Sequence, residues 1–97
     1  MKEIEKITSK AKIAVPLVIS LESNPTTGYK WEIEYDRDSF VVDRVEFRQH
    51  LNAIGSGGYQ EFTLVPQKSG KHLLFFRLRR PWQKKSREER VYEIEVS

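Results

Sequence analysis

The chain has 97 residues, a net charge of +3 at pH 7 and a charged fraction of 32%, and it contains no cysteine. This length fits one domain built around one core, so the whole chain, 1–97, is assigned to a single domain. The composition excludes a catalytic thiol, a disulfide framework and thiolate metal ligands, and no run of about 18 apolar residues is present to span a membrane.

Hydrophobic residues recur mainly with a period of two, which predicts strands with one buried face. In chain order, seven strands are predicted near residues 2–8, 14–22, 29–35, 40–49, 59–65, 71–80 and 90–96. The apolar segment 14–19 is interpreted as a buried part of the second strand, and Trp31 as a core tryptophan. Seven short strands separated by Asn, Asp, Gly and Pro turns predict an all-β fold, an immunoglobulin-like antiparallel β-sandwich.

The connections of such a sandwich alternate between its two ends. The connections after strands two, four and six are therefore expected at one pole. They contain Asn24-Pro25-Thr26-Thr27-Gly28, Gly55-Ser56-Gly57-Gly58 and Arg80-Pro81-Trp82, the three most unusual stretches of the chain. Three such loops at one end indicate a binding surface.

The first of these loops combines residues that restrict the backbone. Pro25 fixes its own φ and favours an extended Asn24, the two threonines are stiff at χ1, and Gly28 permits a reversal. These features predict a rigid protruding wedge, although an ordinary turn is an open alternative.

The second loop, Gly55-Ser56-Gly57-Gly58, has almost no side chains. It could approach a partner closely enough to pair main chain with main chain, or it could be a flexible hairpin loop. The Lys-Ser/Thr and helix that follow a phosphate-binding loop are missing, so nucleotide binding is rejected.

The third loop carries Trp82 behind Pro81 in a charged neighbourhood. Exposed tryptophan and arginine are typical anchors of protein interfaces. The alternative is that Trp82 folds back over the edge of the core. For the Arg80 side chain three environments stay open: a salt bridge at the rim of the interface, stacking on an aromatic ring, or solvation.

Catalytic and metal sites find little support in the sequence. His50 and His72 are the only histidines, and neither lies in a metal-binding spacing such as HExxH. The alternating glutamates of the strands single out no catalytic pair. The prediction is a protein that is not an enzyme, with no metal ion and no cofactor.

Taken in order, the three loop motifs resemble those of the chagasin-type inhibitors of papain-like cysteine peptidases. Each motif is weak alone, but the ordered triplet is specific. The resemblance implies an immunoglobulin-like fold and tight, reversible, non-covalent inhibition of such a peptidase in a one-to-one complex. It also implies that Thr26 and Thr27 sit at the peptidase's catalytic Cys–His pair, that residues 55–58 lie along one side of the cleft, and that Arg80, Pro81 and Trp82 close the other side. The basic stretch 84–87 and the acidic pair 88–89 lie outside the motifs and are candidates for tuning the choice of peptidase by charge.

Two functions of other classes stay open. One is a polyanion-binding module, with strongly salt-dependent binding, that uses Arg77, Arg79, Arg80, Lys84, Lys85, Arg87 and Arg90. The other is a glycan-binding sandwich that uses Trp82. For the inhibitor itself we expect a monomer with no nucleic-acid or membrane partner. It is expected to be cytoplasmic if the chain is complete, and secreted or targeted to a compartment if a leader has been removed.

Overall fold

The computed structural model describes residues 5–49 and 57–97, which form two β-sheets packed face to face. The strands are β1 (Glu5–Ala11), β2 (Leu17–Ser23), β3 (Lys30–Glu34), β4 (Phe40–Gln49), β5 (Gly58–Pro66), β6 (Gly70–Arg79) and β7 (Glu88–Val96). A 3-10 turn, Pro25–Thr27, lies between β2 and β3. The predicted seven-stranded all-β sandwich is confirmed. Across these two described segments, no helix is long and apolar enough to cross a membrane.

The two sheets have the strand orders β1-β7-β6-β3 and β2-β5-β4. Neighbouring strands are antiparallel except β1, which runs parallel to β7 with Ala11 opposite Val96. The antiparallel prediction therefore fails for this one pair. The reason is that the chain leaves β1 and crosses to the other sheet, so β1 is not part of a hairpin.

The second strand starts later than predicted, at Leu17. Ala14 has a φ of 65°, in the left-handed region, and Pro16 has no N–H to donate to a neighbouring strand. The segment 14–19 is not buried as a whole either, since Val18 is 55% exposed. The apolar run is thus a turn followed by a strand with one buried face, and its interpretation as a wholly buried strand is wrong.

The core lies between the sheets and consists of inward-facing positions on six of the strands. Its buried hydrophobic residues are Ile19, Leu21, Trp31, Phe40, Phe62, Leu64, Leu74, Phe76, Ile94 and Val96. Phe62 and Phe76 meet across the sheets edge to face, with ring centroids 5.1 Å apart. Trp31 is 3% exposed, which confirms it as the core tryptophan.

Trp31 also fixes the open edge of β3 against the opposite sheet. Its backbone N–H donates to Gln60 Oε1 and its carbonyl accepts from Gln60 Nε2, both at 3.0 Å. The indole Nε1 donates to the carbonyl of Glu22 at 2.8 Å. A side-chain amide thus satisfies both backbone groups of Trp31 in place of a neighbouring strand, and β2, β3 and β5 are tied together near one end of the sandwich.

Candidate functional site

The connections after β2, β4 and β6 emerge from the same end of the sandwich, as predicted; we call this end the binding pole. In register, Ser23 lies opposite Gly58, and Lys30 lies opposite Arg79. We call the connections the first loop (residues 24–29), the second loop (residues 50–57) and the third loop (residues 80–87). Of the predicted site residues, Gly55 and Ser56 lie outside the described residues.

Asn24 organises the first loop. Its Oδ1 accepts from the N–H and the hydroxyl of Thr26, at 3.2 and 2.6 Å, and caps the turn Pro25–Thr27. Its carbonyl accepts from the N–H and the hydroxyl of Thr27, at 3.1 and 2.7 Å. Gly28 ends the turn with a φ of 80°, a conformation that favours glycine. Both threonine hydroxyls are therefore bonded within the loop, which supports the prediction of a rigid wedge.

Gly57 and Gly58 are buried against the chain's own backbone. A Cβ at Gly57, whose φ is 84°, would lie 2.7 Å from the carbonyl oxygen of Ser23. A Cβ at Gly58 would lie 1.9 Å from the carbonyl oxygen of Arg48. Glycine is the residue that permits such approaches. Gly57 thus packs the end of the second loop against the start of the first, and Gly58 packs the start of β5 against the end of β4. Contact with a partner stays a prediction for both.

Arg80 joins the third loop to the first. Its Nε donates to the carbonyl of Thr27 at 3.0 Å, and its guanidinium lies 4.4 Å from the ring centroid of Tyr29 and 5.9 Å from that of Trp82. Of the three options for Arg80, stacking on an aromatic ring is therefore the one observed. A second cation, Arg87, lies 5.2 Å from the Tyr29 ring centroid.

Tyr29 was not among the predicted site residues, although it forms the surface on which these arginines stack. Its alternation with Trp31 and Ile33 is typical of a strand with one buried face and therefore gives no sign of a binding role. The signal that could have identified it is its position directly after Gly28, where the first loop joins β3. A tyrosine there can present its ring to cations at the binding pole.

Trp82 is 72% exposed. Its ring lies over the first loop, because a Cβ at Gly28 would come within 3.1 Å of Trp82 Cη2. The neighbouring Pro81 is exposed as well. The predicted exposure of Trp82 is confirmed, and the alternative in which it folds back over the core edge is wrong.

Four of the seven cations considered for polyanion binding line one surface cleft, and three glutamates line it with them: the cations are Arg77, Arg79, Lys84 and Lys85, and the glutamates are Glu32, Glu34 and Glu89. Three strand arginines are in ion pairs: Arg77 with Glu34 at 2.7 Å, Arg79 with Glu32, and Arg90 with Glu88 at 2.8 Å. The other four lie on the third loop. The glutamates among these cations disfavour a polyanion site, which needs many adjacent cations free to contact phosphates.

Residues 10–96 match a family model described as Chagasin family peptidase inhibitor I42. Amoebiasin-2 of Entamoeba histolytica is 36% identical to this chain over 69 residues, which cover 68% of this chain and 56% of the relative. The chain thus spans little more than half the length of that relative.

The fold is also similar to solved structures. The crystal structure of the cysteine protease inhibitor EhICP2 from Entamoeba histolytica matches with a TM-score of 0.78 and 25% identity, over 97% of this chain and 95% of the other. PbICP-C, solved in complex with falcipain-2, matches with a TM-score of 0.69 and 21% identity, over 98% and 90%. At that identity the second likeness is one of fold.

Proposed function

This chain belongs to the chagasin family of peptidase inhibitors, and from that premise we propose that it is a tight, reversible inhibitor of papain-like cysteine peptidases. Residues 1–97 act as one domain and bind one peptidase molecule. The observation that carries the proposal is the preformed binding pole, where Arg80 bonds the third loop to the first and Trp82 remains 72% exposed.

In this proposal the first loop fills the active-site cleft and blocks it sterically. Thr26 and Thr27 lie at the catalytic Cys–His pair, and Pro25 and Thr26 are the exposed residues of the turn. The turn is supported by hydrogen bonds to Asn24, so little conformational entropy is lost on binding. A 3-10 turn also differs from the extended strand that a peptidase cleaves, which protects the loop from hydrolysis.

The second and third loops flank the cleft. Residues 55–58 lie along one side and pair with the peptidase's main chain, and Gly57 also packs against Asn24 at the start of the first loop. On the other side Trp82 is the aromatic anchor, in the manner of interface hot spots. The three loops together bury about 1,600 Å² in total, the standard size for a specific complex.

The proposed mechanism has no covalent step. The chain has no cysteine, and the first loop offers amides and hydroxyls, none of which traps a thiolate. The chain performs no chemistry of its own and needs no cofactor. Binding free energy comes from main-chain hydrogen bonds and from burial of the aromatic anchor.

The test is an inhibition assay of papain with this protein at micromolar concentration, with trypsin as the matched control. We expect loss of papain activity, a one-to-one complex in size-exclusion chromatography, and unchanged trypsin activity, because the wedge fits one cleft shape. Full papain activity in the presence of excess protein, or comparable inhibition of both enzymes, would contradict the proposal.

A further inference from the structure

The third loop carries two adjacent exposed lysines, Lys84 and Lys85, which we call the lysine patch. From Arg80 to Arg87 the loop contains four cationic residues and no acidic one. Within residues 5–49 and 57–97, neither lysine of the patch is in an ion pair or hydrogen bond. The cleft that the two lysines line also contains Glu32, Glu34 and Glu89, but these glutamates pair with Arg77 and Arg79. The lysine patch is thus the remaining positive charge of this cleft, two residues from Trp82.

The arginines of the strands have different surroundings. Ion pairs with glutamates join Arg44 and Arg48 to Glu46 at 3.3 Å each, Arg77 to Glu34 at 2.7 Å, and Arg90 to Glu88 at 2.8 Å. The first loop, residues 24–29, has no charged side chain. At the described part of the binding pole, the third loop therefore carries the densest run of positive charge, beside a neutral wedge and the single exposed Lys30 at the start of β3.

Exposed lysines without partners contribute little to folding, but they act on an approaching molecule through the field they create. Charges at the rim of an interface mainly change the rate of association, and they do so more strongly at low salt. We propose that the lysine patch steers the binding pole toward papain-like peptidases whose surface beside the active-site cleft is acidic. This proposal rests on the inhibitory function proposed above and adds a preference among its partners.

A protein partner fits the lysine patch better than a nucleic acid does. A nucleic-acid-binding protein commonly neutralises roughly six or more phosphates, each with a lysine or arginine side chain. Here the arginines nearest to the third loop, Arg77 and Arg79, are paired with glutamates. An exposed tryptophan beside a small cationic patch matches an interface with an aromatic anchor and a charged rim.

The test compares the parent with the double variant Lys84→Glu/Lys85→Glu, measuring association and dissociation rates by stopped-flow. The probes are two papain-like peptidases, one acidic and one basic beside the cleft. With the acidic peptidase at low salt, we expect association about tenfold slower for the variant. The difference should vanish at about 1 M salt, where the Debye length is about 3 Å. With the basic peptidase the variant should associate faster, and dissociation rates should stay unchanged.

The matched control is Lys12→Glu/Lys68→Glu, which makes the same charge change at exposed lysines near the opposite end of the sandwich. It should associate almost like the parent. A Lys84→Gln/Lys85→Gln variant, which removes charge without reversing it, should give a smaller slowing than the glutamates.

Three results would overturn the proposal. They are equal slowing by patch and control variants, unchanged association of the patch variant with the acidic peptidase, or an effect confined to dissociation. Loss of heparin binding in the patch variant with unchanged peptidase association would assign the lysine patch to polyanions instead. If the parent inhibits neither peptidase, the proposed function itself fails, which is distinct from a parent that inhibits both without charge preference.

Discussion

Arg80 and Trp82 are two residues apart on the third loop but have different surroundings. Arg80 is half-buried and contacts Thr27 and Tyr29 of the first loop. Trp82 is largely exposed and lies over Gly28. Internal contacts fix the shape of a surface, whereas an exposed aromatic ring gains most of its stabilisation when a partner covers it. Substitution of Trp82 should therefore affect binding much more than stability.

We expect Trp82→Ala to weaken inhibition of papain by about 2 kcal/mol, roughly 30-fold in the inhibition constant. The thermal unfolding midpoint should stay close to that of the parent. The matched control is Trp31→Ala, which removes a buried ring and should destabilise the fold by about 3–5 kcal/mol. An unfolded Trp82→Ala protein, or one that inhibits like the parent, would contradict the role of Trp82 as an anchor.

A second prediction at the residue scale concerns Asp36, in the turn before β4. The backbone N–H of Asp38, at 3.0 Å from Oδ1, and the hydroxyl of Ser39, at 2.9 Å from Oδ2, both donate to its carboxylate and lower its pKa from the ordinary value of 3.8. A lowered pKa stabilises the folded state above pH 3.8, and this contribution is lost as pH falls through the lowered pKa.

Asp36→Asn should accordingly lower the thermal midpoint at pH 7, and the gap from the parent should shrink at acid pH. Thermal unfolding of both proteins from pH 7 down to about pH 2, below the ordinary Asp range, measures this gap. A gap that is constant or that widens toward acid pH would show that the carboxylate has no such role.

Among the structural elements, the strands can be predicted from the local hydrophobic pattern. The ends of the strands and the loops cannot, because they depend on contacts between residues that are distant in sequence. Period-two alternation places β3 to β7 within about two residues of their observed bounds, because burial of one face is a property of each strand. The start of β2 was missed because an apolar composition cannot reveal the left-handed Ala14. The internal packing of Gly57 was missed because it involves Ser23 and Asn24, which are distant in sequence.

The glycine at the start of β5 gives an element-scale prediction. Gly58→Ala should destabilise the protein by more than about 1 kcal/mol, since its Cβ would lie 1.9 Å from the carbonyl of Arg48 and backbone atoms must shift. Gly70→Ala is the control, because its Cβ would meet its nearest atom at 3.9 Å and only its φ of 110° is unfavourable. Urea unfolding compares them, and a smaller loss for Gly58→Ala than for Gly70→Ala would argue against the close approach.

The contact between the first and third loops gives a second element-scale prediction. Tyr29→Ala removes the ring on which Arg80 stacks, and should weaken inhibition by about 0.5–2 kcal/mol, the range for cation–π contacts. Tyr29→Phe keeps the ring and should inhibit like the parent. Inhibition constants for papain test both variants. Parent-like inhibition by Tyr29→Ala would mean that the stack does not preorganise the binding pole.

At the scale of the whole molecule, the topology brings three loops to one end. That arrangement could be predicted by counting strands, because alternating connections return to the same pole. The assignment of each strand to one of the two sheets and the parallel pairing of β1 could not be predicted in this way, because both depend on which strands pair in space. Likewise, the loop motifs identified the candidate site. The ion pairs of the strand arginines, which distinguish them from the lysine patch, could be recognised only from the three-dimensional structure.

The central claim is that the first loop blocks the cleft sterically, without any bond to the peptidase's thiol. It is tested most directly by calorimetric titration of this protein into papain whose catalytic cysteine carries a methylthio group. Papain carrying a large, cleft-filling inactivator is the control and should not bind, since the inactivator occupies the place of the first loop. For the methylthio enzyme we predict a one-to-one complex with nearly the affinity of unmodified papain. Loss of binding to the methylthio enzyme, or a covalent adduct with unmodified papain in mass spectrometry, would contradict the account.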